Sequence, residues 1–201
     1  MQTNKKNISK ELIIETTLAL IEENDGMRDV NLRGIAKRIG CNHTNLYNYF
    51  DGLDEIFWES LGQAIRNMVE YSDSNLDKTD DLEEKLYLLL ANMIDFSFQH
   101  VSWYRLMWLD NIKGEPSSEV FEVIKNAGEK FNEKILKACS NRINKKRAEE
   151  VGDILFGYLN GEICKWISHR GFEDSEEKVK TKILLNLKHL YKLLIQEVDN
   201  L

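Results

Sequence analysis

The chain predicts an all-α protein, and three observations carry that reading. Its 201 residues include a single proline, Pro116. Apolar residues recur at i, i+3, i+4 and i+7 in one segment after another, the period of a helix with one buried face. No segment shows the period-2 alternation of Val, Ile and Thr that marks a half-buried strand. The length is ample for a sizeable core, and the pattern reads as about nine helices in two domains, residues 1–52 and 53–201.

The opening residues, MQTNKKN, are polar and read as a frayed end. A first helix is expected from Ser9 to Asn24, with Leu12, Thr16, Ala19 and Leu20 inward and Asp25-Gly26 ending it. The next stretch, NLRGIAKRIGCNHTNLYNYFDGL from Asn31 to Leu53, organises the rest. Leu32, Ile35, Ala36 and Ile39 form an apolar stripe. Asn31 stands before it as an N-cap, and Gly40 comes after it where a left-handed residue is wanted. Asn42 is a second cap, and Leu46, Tyr49 and Phe50 supply the buried side of another short helix. Small Ala36 permits a close crossing. This is the logic of a helix-turn-helix, whose second helix lies in a DNA major groove. The outer face of that helix carries His43, Thr44, Asn45, Tyr47 and Asn48, hydrogen-bonding types suited to base edges and phosphates.

The net charge of −7 runs against a polyanionic partner, so its distribution matters. Residues 1–50 hold seven Lys/Arg and six Asp/Glu, whereas residues 51–201 hold 20 and 28. Attraction to DNA must therefore come from a local patch: Lys5, Lys6, Lys10, Arg28, Arg33, Lys37 and Arg38. Such a patch suffices, because phosphate contacts act within a Debye length of ~8 Å.

A further helix spans about Leu53 to Tyr71, with Leu53, Ile56, Phe57, Leu61, Ala64, Ile65 and Met68 repeating, and SDSNLDKTDD at 72–81 marks a loop. From Leu82 to Asn111 the chain is dense in Leu, Met and aromatic residues, which read as core or as the lining of an adaptable apolar pocket. Lys113 to Pro116 form a turn before a long helix from Ser117 to Cys139. The charged run NRINKKRAEE at 141–150 reads as a solvated connection. Two helices, about 146–169 and 175–198, close the chain. Gly152, Gly157 and Gly161 lie about a turn apart in the first of them, although glycine in a helix costs ~1 kcal/mol. Such spacing suits the close approach of another helix. Ile183, Leu187, Leu190, Tyr191, Leu194 and Val198 form a stripe on the last.

Residues 8 to 61 resemble the N-terminal domain of the TetR/AcrR family of transcriptional regulators. The matching pieces are Asp25-Gly26, Leu32-Arg33, Ile35-Ala36, Gly40 and Leu46-Tyr47-x-Tyr49-Phe50; beyond them only length and helix layout match. The resemblance implies a three-helix helix-turn-helix DNA-binding domain over 1–52 and an effector-binding and dimerisation domain over 53–201. It implies a homodimer on a near-palindromic double-stranded operator, acting as a repressor released by a small apolar or aromatic effector.

By the same resemblance, Arg33, His43, Thr44, Asn45, Tyr47, Asn48 and Tyr49 would contact DNA. The effector pocket would draw on Met93, Phe96, His100, Trp103 and Tyr104, and on Met107, Trp108, Tyr158 and Trp166. The dimer seam would use Ile154, Leu155, Tyr158 and Ile183, with Leu187, Leu190, Tyr191 and Leu194; folding back onto the chain's own core is the competing account. One departure is plain. The family carries a phosphate-contacting lysine near the start of the fourth helix, where this chain has Leu53 between Asp51 and Asp54. Backbone amides at that helix N-terminus are expected to substitute.

Other classes fare worse. Cys41, Cys139 and Cys164 are odd in number and form no C-x-x-C pair, so neither disulfide framework nor zinc site is suggested, although Cys41 in the turn is a candidate redox sensor. The four histidines are scattered. No catalytic grouping or phosphate loop points to an enzyme, and no cofactor or metal is expected. Without a long apolar run or a signal peptide, a cytoplasmic protein is expected. The rival readings are a protein-interaction module with a degenerate helix-turn-helix and a helical-bundle enzyme.

Overall fold

The computed structural model describes residues 8–140, 142–171 and 175–196. Among them are eight α-helices: α1 (Lys10–Glu23), α2 (Leu32–Ile39), α3 (Leu53–Ser72), α4 (Leu82–Gln99), α5 (Val101–Trp108), α6 (Ser118–Ala138), α7 (Lys145–Ile167) and α8 (Glu176–Gln196). Two short 3-10 segments, His43–Asn48 and Leu76–Lys78, complete the regular structure, and the described residues contain no strand. The all-α reading holds, while the expected second helix of the helix-turn-helix is the first of those 3-10 segments. No helix among the described residues is long and apolar enough to cross a membrane.

The described residues form two compact units. One comprises residues 8–67 and His100–Ile124; the other comprises Met68–Gln99 and the described residues from Lys125 onward. This division differs from the boundary expected after residue 52. Helix α3 begins at Leu53, but its residues up to Asn67 belong with the first unit, to which α5 also returns by packing on α1. The Trp103 indole N–H donates to the Leu18 carbonyl at 3.0 Å, which secures that return.

In the first unit, Ser9 caps α1 by accepting the Leu12 amide at 3.2 Å. The buried face of α1 is Ile13, Ile14, Thr17, Leu18 and Ile21. It lies a step round from the expected Leu12, Thr16, Ala19 and Leu20, which are only half-buried. The three isoleucines offer more apolar surface than the expected set, and Thr17 can join them because its hydroxyl donates to the Ile13 carbonyl at 2.8 Å. Ile56, Phe57, Leu61, Ala64 and Ile65 of α3 are buried as the periodicity predicts. Two side chains of α3 fix the segment leading into α6: Trp58 Nε1 donates to the Lys113 carbonyl at 3.0 Å, and Glu59 accepts the Ser117 hydroxyl at 2.8 Å.

The second unit packs α8 against α4 and α7. Leu86, Leu90, Leu155, Leu159, Ile163, Ile183 and Leu187 are among its fully enclosed apolar residues. The hydroxyl of Tyr191 lies 3.3 Å from Cys139 Sγ, and its ring meets Tyr87 edge-on, with centroids 5.9 Å apart. Burial pushes both the Cys139 thiol and the Tyr191 phenol above their usual range. Cys139 is therefore an inert core thiol, while Cys41 and Cys164 are half-buried. The loop at 72–81 is held by Asn92, whose amide donates to the Ser72 and Ser74 carbonyls at 3.2 and 3.0 Å. Lys5, Lys6, Asn141 and Val198 lie outside the described residues.

Candidate nucleic-acid interface

Local caps build this site. Asn31 accepts the Gly34 amide at 3.0 Å and starts α2. Gly40 ends it at φ 87°, a left-handed conformation that lets both the Gly40 and Cys41 amides bond the Ala36 carbonyl at 2.9 Å. Two residues on, Asn42 accepts the Thr44 amide at 3.1 Å and starts the 3-10 segment. Ile35, Ala36 and Ile39 hold α2 to the core; Leu46 and Phe50 do the same for the 3-10 segment and its exit.

The 3-10 geometry changes which side chains share a row. With three residues per turn, positions i and i+3 eclipse. His43, Leu46 and Tyr49 form the inner row: Leu46 is buried and the other two are half-buried. Thr44 and Tyr47 form one outer row, Asn45 and Asn48 a second, and all four are exposed. Tyr47 is 53% exposed, the mark of a large side chain with no place in the core. Arg33 on α2 is also exposed.

The structure treats two of the expected DNA contacts differently. The Tyr49 hydroxyl donates to the Ile8 carbonyl at 2.8 Å, so its proton ties down the chain ahead of α1. His43 faces partly inward. Lys10 at the start of α1 lies over the Phe50 ring, 5.3 Å from its centroid.

Charge around the site is mixed. The Arg38 guanidinium grips the Glu23 carboxylate with both terminal nitrogens, Nη1 at 3.0 Å. That hydrogen-bonded pairing holds the Glu23 carboxyl below its usual range and raises the Arg38 guanidinium. Arg38 is thus neutralised within the chain, and Arg33 and Lys37 remain as the exposed cations of α2. At the start of α3, the Glu55 carboxylate accepts the Asp51 amide at 2.5 Å. The expectation that backbone amides there would bind phosphate is not met by Asp51: a carboxylate of the same chain occupies its N–H, and Asp54 adds further negative charge.

No family sequence model matches the chain, and no curated protein matches it in sequence. Solved structures do match in fold over nearly its whole length. A TetR-family transcriptional regulator from Streptomyces coelicolor superposes with a TM-score of 0.69 at 17% identity, covering 94% of this chain and 87% of that one. The fatty acid degradation regulator FadR from Bacillus halodurans gives 0.68 at 18% identity, covering 98% and 99%. The protein RolR in complex with its ligand resorcinol gives 0.63 at 16%, covering 90% and 92%. The chain has the TetR-family fold.

Within this TetR-family fold, the residues expected to line an effector pocket fall into both compact units. In the first, the His100 ring stacks on Trp103, with centroids 4.3 Å apart and planes 11° from parallel. Tyr104 and Met107 are buried there, and Trp108 is half-buried. In the second, Met93 and Phe96 are buried, and Phe96 packs on Tyr71 with centroids 5.6 Å apart. Trp166 packs on Phe98 at 5.7 Å, and the Tyr158 hydroxyl accepts the Asn186 amide at 2.6 Å. These contacts fit the core reading of Met93, Phe96, Tyr104 and Met107.

The expected dimer seam needs correction. Leu155, Ile183, Leu187 and Tyr191 are all fully enclosed in the chain's own core and offer nothing to a second copy. The periodic stripe on α8 faces α4 and α7, because a single chain must first cover its own helices. What α7 and α8 expose instead is Ile154, Leu185 and Leu193, with Leu190, Leu194 and Tyr158 half-buried beside them. Of the three glycines of α7, Gly152 makes a close approach within the chain, where a Cβ would collide with Asn132 Oδ1. Gly157 and Gly161 face open space.

Proposed function

We propose that this protein is a sequence-specific DNA-binding transcriptional regulator. The observation that carries the reading is the exposed double row Thr44/Tyr47 and Asn45/Asn48, set on a capped turn whose inner row is anchored in the core. Four polar side chains turned outward have no place in the core, and all are types that bond base edges or phosphates. Thr44 offers a methyl to thymine and a hydroxyl to phosphate; Asn45 can pair with adenine; Tyr47 and Asn48 reach the backbone. Arg33 supplies charge from α2. The fold shared with TetR-family regulators supports the same reading.

The protein acts as a homodimer, with two such heads entering successive major grooves ~34–36 Å apart on a near-palindromic operator. Its seam is formed by the exposed face of α7 and α8, including Ile154, Leu185 and the open glycines Gly157 and Gly161. A small apolar or aromatic effector that prefers the DNA-incompetent arrangement releases the operator, and the coupling is reciprocal. RolR, with resorcinol bound, is a ligand-binding example of this fold.

The test is selection of bound DNA from a random library, followed by titration at two salt concentrations. Recovery of one near-palindromic motif, bound by a dimer and weakened by Thr44→Ala and Tyr47→Ala, supports the proposal. Sequence-indifferent binding that ignores both substitutions sinks it. That result favours a protein-interaction module, a reading to which the carboxylates around the start of α3 lend weight.

A further inference from the structure

The segment after α1 and the segment at the end of α5 surround an open cleft of about 430 Å³, and of its lining residues only Arg28 has been given a binding role above, as one cation of the basic patch. This size lies in the ~300–1,000 Å³ range of small-ligand pockets. One wall runs from Asn24 to Asp29, and the other is Arg105, Asp110 and Asn111. Both helices therefore present their C-terminal ends, the negative ends of their dipoles, to the same space.

Gly26 forms part of the first wall. It is buried at φ 143°, a conformation that side-chain-bearing residues rarely adopt, and a Cβ there would stand 4.0 Å from Asp110 Oδ2. The Asp110 amide is held by the Arg105 carbonyl at 2.8 Å, which fixes the far wall.

Five charged side chains line the space: Asp25, Asp29 and Asp110 with Arg28 and Arg105. Among the described residues, none of the five makes a side-chain hydrogen bond or ion pair with the protein. In the same unit, Glu23 and Arg38, which are half exposed, do close on each other. Both signs thus stand in one cleft without neutralising one another, and the balance is negative: three carboxylates and two helix C-termini against two guanidiniums.

We infer that this cleft binds a small zwitterion with more cationic than anionic groups, of the diamino-acid class. A ligand carboxylate pairs with Arg105 or Arg28, for which a guanidinium fork is well shaped. The ammonium groups face Asp25, Asp29 and Asp110, on the side where the two helix dipoles end negative. Such a ligand bridges α1 and α5 by satisfying groups that the chain leaves apart. It differs in chemistry from the apolar effector proposed above, and the site does not depend on the DNA reading.

Isothermal titration of the full chain with L-lysine, in the absence of DNA, tests this. Cadaverine, which lacks the carboxylate, and glutarate, which lacks the ammonium groups, are the comparison probes. L-lysine is expected to bind once per chain, with both comparison probes about tenfold weaker or worse. Arg105→Gln and Asp110→Asn should each weaken L-lysine about tenfold while the circular-dichroism melt stays unchanged. Exposed Asp29→Asn carries the same test if either variant melts early. Absence of saturable binding overturns the proposal. So does cadaverine binding as tightly as L-lysine, or full affinity in the folded variants.

Discussion

Leu53→Lys probes the electrostatics of the proposed DNA interface from its weakest point. A helix N-terminus carries roughly half a positive charge, which normally attracts phosphate. At the start of α3 that charge is opposed by Asp51, Asp54 and Glu55, with Glu55 already occupying the Asp51 amide. An ammonium placed ~7 Å from a phosphate in a water-like dielectric gains ~0.6 kcal/mol, or about threefold in affinity. It also displaces one more counterion, making the salt slope steeper by ~0.9, so that raising salt from ~50 to ~200 mM costs roughly a further 3.5-fold. Leu53 is half-buried, and a lysine stem can keep much of that packing while its head reaches water. Fluorescence anisotropy on the selected operator at two salt concentrations, with Tm measured in parallel, reads both quantities. An unchanged salt slope and affinity in a variant that melts like the parent would refute the reasoning, because the start of α3 would then lie away from the DNA backbone.

Asn31→Ala removes the acceptor for the Gly34 amide and should cost ~1 kcal/mol, seen as a lower midpoint in urea; an unchanged midpoint would show the cap to be dispensable. Glu22 gives a pH prediction. Burial raises its carboxyl above the usual value of 4.5, against the pull of nearby His100, whose Nδ1 lies 3.6 Å away. The folded state therefore holds this proton more tightly than the unfolded chain, so the associated stability is complete below the unfolded value and lost as pH rises through the raised one. In urea titrations from acid to neutral pH, the stability of the parent relative to Glu22→Gln should fall as pH rises; parallel profiles would reject it. For the proposed seam, Leu185→Glu should shift sedimentation from dimer to folded monomer, whereas Leu187→Glu should unfold the second unit because its side chain is fully enclosed. A Leu185→Glu protein that stays dimeric places the seam elsewhere.

Much of the candidate site was legible because it is built from local rules. Asn31, Gly40 and Asn42 act within a few residues of themselves, so their types and spacing announce caps and a left-handed corner before any packing is known. The exposed polar row was legible for the same reason. What it lacked was the pitch: a 3-10 turn differs from an α-turn by a fraction of a residue, and the threefold repeat shows in the Asn45 and Tyr49 amides bonding the Asn42 and Leu46 carbonyls and in the burial of Leu46 between half-buried His43 and Tyr49. The partners of Tyr49 and Arg38 were invisible because Ile8 and Glu23 are distant along the chain.

The sequence by itself determined the helical class, most helix limits and the turn that displays Thr44, Asn45, Tyr47 and Asn48, since periodicity and capping are near-neighbour physics. Only the tertiary structure decided which apolar stripe meets which. It rotated the buried face of α1 to its isoleucines and enclosed Leu155, Ile183, Leu187 and Tyr191 in the chain's own core. It also brought Arg105 and Asp110 to the same cleft as Asp25 and Arg28. A hydrophobic stripe says that a surface must be covered; the partner that covers it depends on contacts between residues far apart in the chain.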